Sequence, residues 1–209
     1  MKTRKLLAIM LAIAVLASFI SVPVFADGHE GEVLETLGIL IGPDEDGVTE
    51  DYLATTATRA QAALINLRLL GLEAAALAFD GTETFTDAAD ATEFWQPVLE
   101  YLKANPSVGW VGYPDGSFMP NAAITGQGFT KVLLVALGYE EGVDFTWETV
   151  MEFASTVGLT ALAGKDDDDM DLTVEDLAVA LVEALGTKTT APTDVTLLTQ
   201  LVIDGVIDE

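Results

Sequence analysis

The sequence predicts an all-α protein made of three diverged copies of one helix-containing repeat. Three observations predict it. The stretches ATRAQAALINLRLLG (57–71), ITGQGFTKVLLVALG (124–138) and LTVEDLAVALVEALG (172–186) align without a gap. In each, a Thr stands 13 residues before a Gly: 58 to 71, 125 to 138, 173 to 186. Thr is a favoured helix start and Gly a favoured stop, and independently placed caps would scatter, so the shared spacing argues for duplication. Between the caps the apolar residues fall at helical spacing, as in Phe129, Val132, Leu133, Ala136 and Leu137.

The first 26 residues are expected to lie outside the fold. Lys2, Arg4 and Lys5, an apolar run from Leu6 to Ile20 and the small-x-small triplet Val24-Phe25-Ala26 read as a secretory signal peptide rather than an uncleaved anchor. Residues 27–78 form the first repeat. Val33, Leu34, Leu37, Ile39 and Leu40 predict a short helix ending near Gly38, and the polar GPDEDGVTEDY a loop. The helix 58–70 follows, opened by a Thr58–Gln61 capping box and closed by Gly71.

The second repeat, 79–139, begins at a turn at Asp80-Gly81 with Phe85 as an anchor. A helix is predicted over 92–104, with Phe94, Trp95, Val98, Leu99 and Leu102 inward, Pro97 tolerated in its first turn and Pro106 ending it. The loop GYPDGSF is a turn by mechanism. Pro114 sets φ, Asp115 can bond its own backbone and Gly116 is free to take positive φ. The third repeat, 140–186, opens with Thr146 as N-cap and with Trp147, Val150, Met151, Ala154 and Val157 at helical spacing. An acidic run and the third Thr-to-Gly helix complete it. In 187–209 a linker precedes a last amphipathic helix carrying Leu197, Leu198, Leu201, Val202, Val206 and Ile207.

Composition narrows the partners. After the signal, 6 Lys and Arg face 34 Asp and Glu, a net charge of 6 − 34 = −28 on 183 residues. Such a field repels nucleic acid and anionic lipid, so no nucleic acid and, after signal cleavage, no membrane is expected as a partner. Half the residues are apolar, which excludes a disordered acidic tail. No Cys is available for a disulfide or a thiol nucleophile. With one His and no G-x-S-x-G, H-E-x-x-H or P-loop pattern, no catalytic constellation stands out and an enzyme is not expected.

The residues of the second repeat carry a resemblance. Phe85-Thr86-Asp87, a Trp95-bearing helix, GYPDGSFMPNAAIT and an apolar helix together resemble the S-layer homology (SLH) module of bacterial surface proteins. The first and third repeats are similar mainly in their Thr-to-Gly helices. The resemblance implies three repeats packed as a pseudo-threefold bundle with a short C-terminal helix added, and grooves between repeats that bind pyruvylated secondary cell-wall polysaccharide. It implies Arg59, Asp87, Trp95, Gly112 and Tyr113 as ligand-binding residues. Arg59 matches the module's T-R-A-E arginine, and a guanidinium suits a carboxylate-bearing sugar. The matching residues of the other two repeats are Gly126 and Val174.

Two function classes stay open from sequence. One is a non-catalytic cell-surface protein held to the bacterial envelope by that polysaccharide. The other is a self-assembling structural subunit of a surface layer or extracellular filament, associating with itself or other surface proteins, which the loss of two arginines favours. Trp95 and Trp147 are expected in the core rather than as sugar platforms, because an aromatic side chain buries much apolar area. Asp167, Asp169 and Asp171 are the candidate metal ligands, with calcium as the only candidate cofactor. As an EF-hand the run fails, because Leu172 stands at the position of the turn Gly and Ala178 at that of the bidentate Glu. The alternative is a solvated acidic loop.

Overall fold

The computed structural model describes residues 29–165, 170–190 and 195–207. The expected signal segment 1–26 and two of the candidate metal ligands, Asp167 and Asp169, fall outside them. The described chain is all-α, with isolated bridges and no strand. In chain order the helices are α1 (Glu30–Thr36), α2 (Glu50–Leu53), α3 (Arg59–Leu69), α4 (Glu73–Leu77), α5 (Gln96–Ala104), α6 (Gly126–Ala136), α7 (Val150–Val157), α8 (Val174–Gly186) and α9 (Leu197–Ile203). Short 3₁₀ turns precede α5 and α7. No described helix is long and apolar enough to cross a membrane.

The three Thr-started helices are the centre. The Thr58 hydroxyl accepts from Gln61 N, the Thr125 hydroxyl from Gly128 N and the Thr173 hydroxyl from Asp176 N, so each supplies a partner to an orphan first-turn amide. Thr58–Gln61 closes the expected capping box, and Thr173–Asp176 forms a second one. α3 is buried nearly all round, through Ala62, Ala63, Leu64, Ile65, Leu67 and Leu69, as a helix in mid-core must be. α6 packs on α3, α7 and α8, while α1, α2 and α9 pack on α8.

The extended residues that lead into these helices meet one another. Ile124 N donates to Ala57 O at 3.0 Å, Ala57 N to Leu172 O at 2.8 Å, and Val174 N to Thr55 O at 2.9 Å. Arg59 N and Ala60 N donate to Ala122 O and Pro120 O. The start of α3 therefore rests on the loop before α6, and the start of α8 on the chain before α3.

Some elements differ from the sequence expectation. Gly71 and Gly138 do take positive φ (+69° and +94°) after their helices, but Gly186 is the last residue of α8 itself. There the chain leaves through extended Thr187, whose hydroxyl donates to Glu183 O at 2.8 Å and does the capping instead. The predicted helix 92–104 begins as a 3₁₀ turn, Glu93–Trp95, so the apolar register shifts at its start. Val98, Leu99 and Leu102 are buried, whereas Phe94 is 52% exposed and Trp95 is half-buried against the core. The same switch at Trp147–Thr149 leaves Trp147 43% exposed, not in the core. The expected linker is tied down in part, with Thr190 donating to Gly138 O.

Candidate functional site: a guanidinium on an aromatic cradle

The first residue of α3 is Arg59, and its side chain crosses to the loop 110–118. Its Nε donates to Phe118 O at 2.8 Å. The guanidinium carbon lies 4.8 Å from the centre of the Tyr113 ring, 5.0 Å from Phe118 and 5.7 Å from Trp110. These separations fit cation–π attraction, with the plane of the guanidinium steadied by ring faces. The rings are fixed beneath it: Phe118 packs on Phe85 and Trp110 at 4.9 and 5.9 Å, and both Trp110 and Phe118 are buried. Trp110 Nε1 donates to the buried Asn66 Oδ1 at 3.1 Å, tying the loop to α3.

The loop holds its shape through its own turn chemistry. Tyr113 N donates to Ser117 O at 2.8 Å and Gly116 N to Tyr113 O at 2.9 Å. One Asp115 oxygen accepts from both the Ser117 amide and the Ser117 hydroxyl, which holds that carboxyl below the usual range. Gly112 is required twice over. Its φ is +75°, and a Cβ there would stand 2.6 Å from the Phe85 ring and 2.7 Å from Ser117 O.

Asp87 reaches in from the neighbouring turn. One oxygen accepts from Phe118 N at 2.8 Å and the other from Met119 N at 2.7 Å. Met119 is the non-glycine residue with positive φ among the described residues (+58°), so the Asp87 carboxylate braces a strained bend. That bend turns the Phe118 carbonyl toward Arg59. Burial pulls the Arg59 pKa down, while Tyr113 and the Asp87 carboxylate push back. An arginine starts so high that it stays cationic at neutral pH.

The structure thus brings together Arg59, Asp87, Gly112 and Tyr113. Trp95 is not among them; it packs edge-on against Phe94 at 5.0 Å. Asp171 is exposed, and no group of three metal-binding side chains occurs among the described residues. Sequence reasoning missed Phe118 and left Trp110 unassigned. The aromatic spacing W-x-x-Y-x-x-x-x-F ahead of a Thr-started helix was the available signal. A separate shallow depression between Leu133, Met151, Leu159, Leu162 and Ala180 is apolar, and the Glu183 carboxylate at its edge already accepts from Thr160 and Ala161.

What the cradle can do is hold one planar cation at the surface of a strongly acidic protein. Nε is used, and Tyr113 beside it is 39% exposed. The class that the fold defines is all-α. No family model matches the chain. It is 31% identical over 118 residues to the middle cell wall protein of Brevibacillus brevis, a stretch that is 56% of this chain and 11% of that protein. It is 30% identical over 118 residues to the surface layer protein of Brevibacillus choshinensis, again 56% of this chain and 10% of the relative. To the cellulosome-anchoring protein of Acetivibrio thermocellus it is 37% identical over 92 residues, 42% of this chain and 20% of the relative. The matched stretches thus span between a tenth and a fifth of these relatives, whose names describe surface structure or anchoring rather than a reaction.

Proposed function

We propose that residues 27–78, 79–139 and 140–186 are three SLH-type repeats, and that the chain associates non-covalently with the bacterial envelope by binding acidic secondary cell-wall polysaccharide at Arg59. The observation that carries the reading is the Arg59 guanidinium lying on the Tyr113 and Phe118 rings with its Nε fixed by Phe118 O. A cation oriented in this way offers its terminal N–H groups to a carboxylate in a fixed fork, while Tyr113 presents a ring face to a sugar. On a molecule of this negative charge an oriented cation also gives an anionic ligand a place to dock. The names of the relatives, in cell wall, surface layer and cellulosome anchoring, support this setting.

A second reading, a self-assembling surface-layer or filament subunit, is favoured by the exposed apolar residues Phe94, Val143 and Trp147, with Val143 73% exposed. Mixing the protein with purified sacculi separates the two. Co-sedimentation that disappears with Arg59→Ala supports the anchor. Ordered assemblies formed without any wall, and indifferent to Arg59, support the subunit.

A further inference from the structure

We infer that, of the three equivalent helix starts, the one at Arg59 is an open cation-bearing site, and that the equivalent place at Gly126 is a closed joint filled by the main chain of Lys165. The argument starts from three residues in one structural position. Arg59, Gly126 and Val174 each directly follow the N-cap Thr of a central helix. At Arg59 the neighbouring loop stands off far enough for a guanidinium to lie across its rings.

At Gly126 there is no such space. A Cβ there would lie 2.1 Å from Lys165 O and 2.9 Å from its carbonyl carbon, both main-chain atoms. No L side chain can leave the helix at that point without moving the chain at 165. Glycine is a poor helix former, so its presence in the first turn of α6 answers to space and not to propensity. Lys165 is secured on both sides. Its amide donates to Leu162 O at 3.0 Å, and its ammonium pairs with Asp176 in the first turn of α8. The next residue of α6, Gln127, is engaged as well, donating through Nε2 to Trp147 O. The joint therefore locks α6 to the chain entering α8. At the third position Val174 is fully buried and its amide is bonded to Thr55 O, so it offers neither charge nor access.

The consequence for ligand binding rests on the proposed function: each chain makes one contact with an acidic glycan. Firm retention on a polymer then depends on several chains, or other glycan-binding parts, acting together. The joint itself does not rest on that reading, and the test keeps the two apart. Thermal melting of Gly126→Ala is compared with Gly186→Ala, a helical glycine with nothing within 4 Å of a Cβ. Gly126→Ala should melt at least about 5 °C below the parent, or fail to fold, while Gly186→Ala melts with it or above it. A Gly126→Ala protein as stable as the parent overturns the joint. In parallel, a monovalent pyruvyl-ketal hexoside is titrated into the parent and Arg59→Ala proteins. One site per chain, lost with Arg59→Ala, is expected. Two or three sites overturn the inference whatever the melting shows. No binding of the hexoside at all overturns the glycan reading, and the joint then stands or falls on the melting alone.

Discussion

At the scale of single residues, Arg59 is legible in the sequence as a cation after a capping Thr, and as a ligand residue through the resemblance alone. What makes it a site is supplied from 51 to 59 residues further along by Trp110, Tyr113 and Phe118, and no local pattern reports that they meet it. Asp87 shows the same limit from the other side. Its carboxylate is committed to Phe118 N and Met119 N, so it positions the loop and has both oxygens engaged before a ligand arrives. Asp87→Asn removes the charge and puts an amide NH₂ against one of those N–H donors. It should cost about 1–3 kcal/mol in denaturant unfolding and weaken sugar binding through loop geometry. Trp110→Phe preserves the ring but strips Asn66 Oδ1 of its donor in a fully buried place where Nδ2 already has no partner. A loss of about 1–3 kcal/mol is expected by the same measurement. A neutral result would mean that the Trp110 hydrogen bond does not hold the loop.

At the scale of elements, the Thr-to-Gly spacing located all three central helices because N-capping is a local, side-chain event that sequence states directly. The C-terminal half of the pattern failed once, at Gly186, where Thr187 caps from its side chain and leaves the glycine helical. Phe94 and Trp147 were misread because a 3₁₀ turn has three residues per turn, which rotates the apolar face before the α-helix begins. Asp176 belongs at this scale, since it closes the α8 capping box and pairs with Lys165. Burial pushes its carboxyl up, but the Lys165 and Thr173 interactions together hold it below the usual range. A depressed carboxyl contributes stability that is complete above its unfolded value near 4 and is lost as pH falls through the lower folded value. Asp176→Asn should therefore lie about 1 kcal/mol below the parent at neutral pH and converge with it below about pH 4. Parallel curves down to pH 2 would show that the carboxylate plays no part.

At the scale of the whole molecule, two features decide behaviour: the meeting of the three helix starts and the charge. The Thr-to-Gly spacing located the three helices, but the asymmetry of their starts was not legible. Arg59, Gly126 and Val174 read as simple substitutions until the main chain at Lys165 is seen to occupy one of the places. The charge was legible in full. A net charge of −25 should make the fold more stable in sodium chloride, with Tm rising from 10 mM to 500 mM as repulsion is screened. The calcium reading of Asp167, Asp169 and Asp171 makes a narrower prediction. Calcium should raise Tm beyond sodium at equal ionic strength, and Asn at those three positions should remove only that increment. A Tm that tracks ionic strength alone would reduce the run to a solvated loop.

The most direct measurement is the affinity of soluble, purified secondary cell-wall polysaccharide for the parent, Arg59→Lys and Arg59→Ala proteins, with circular dichroism confirming that all three stay helical. Lysine keeps the charge but has neither the plane that lies on Tyr113 and Phe118 nor the Nε that binds Phe118 O. The account predicts that both variants lose at least about tenfold in affinity, with lysine recovering little of what alanine loses. Equal binding by all three folded proteins would contradict it.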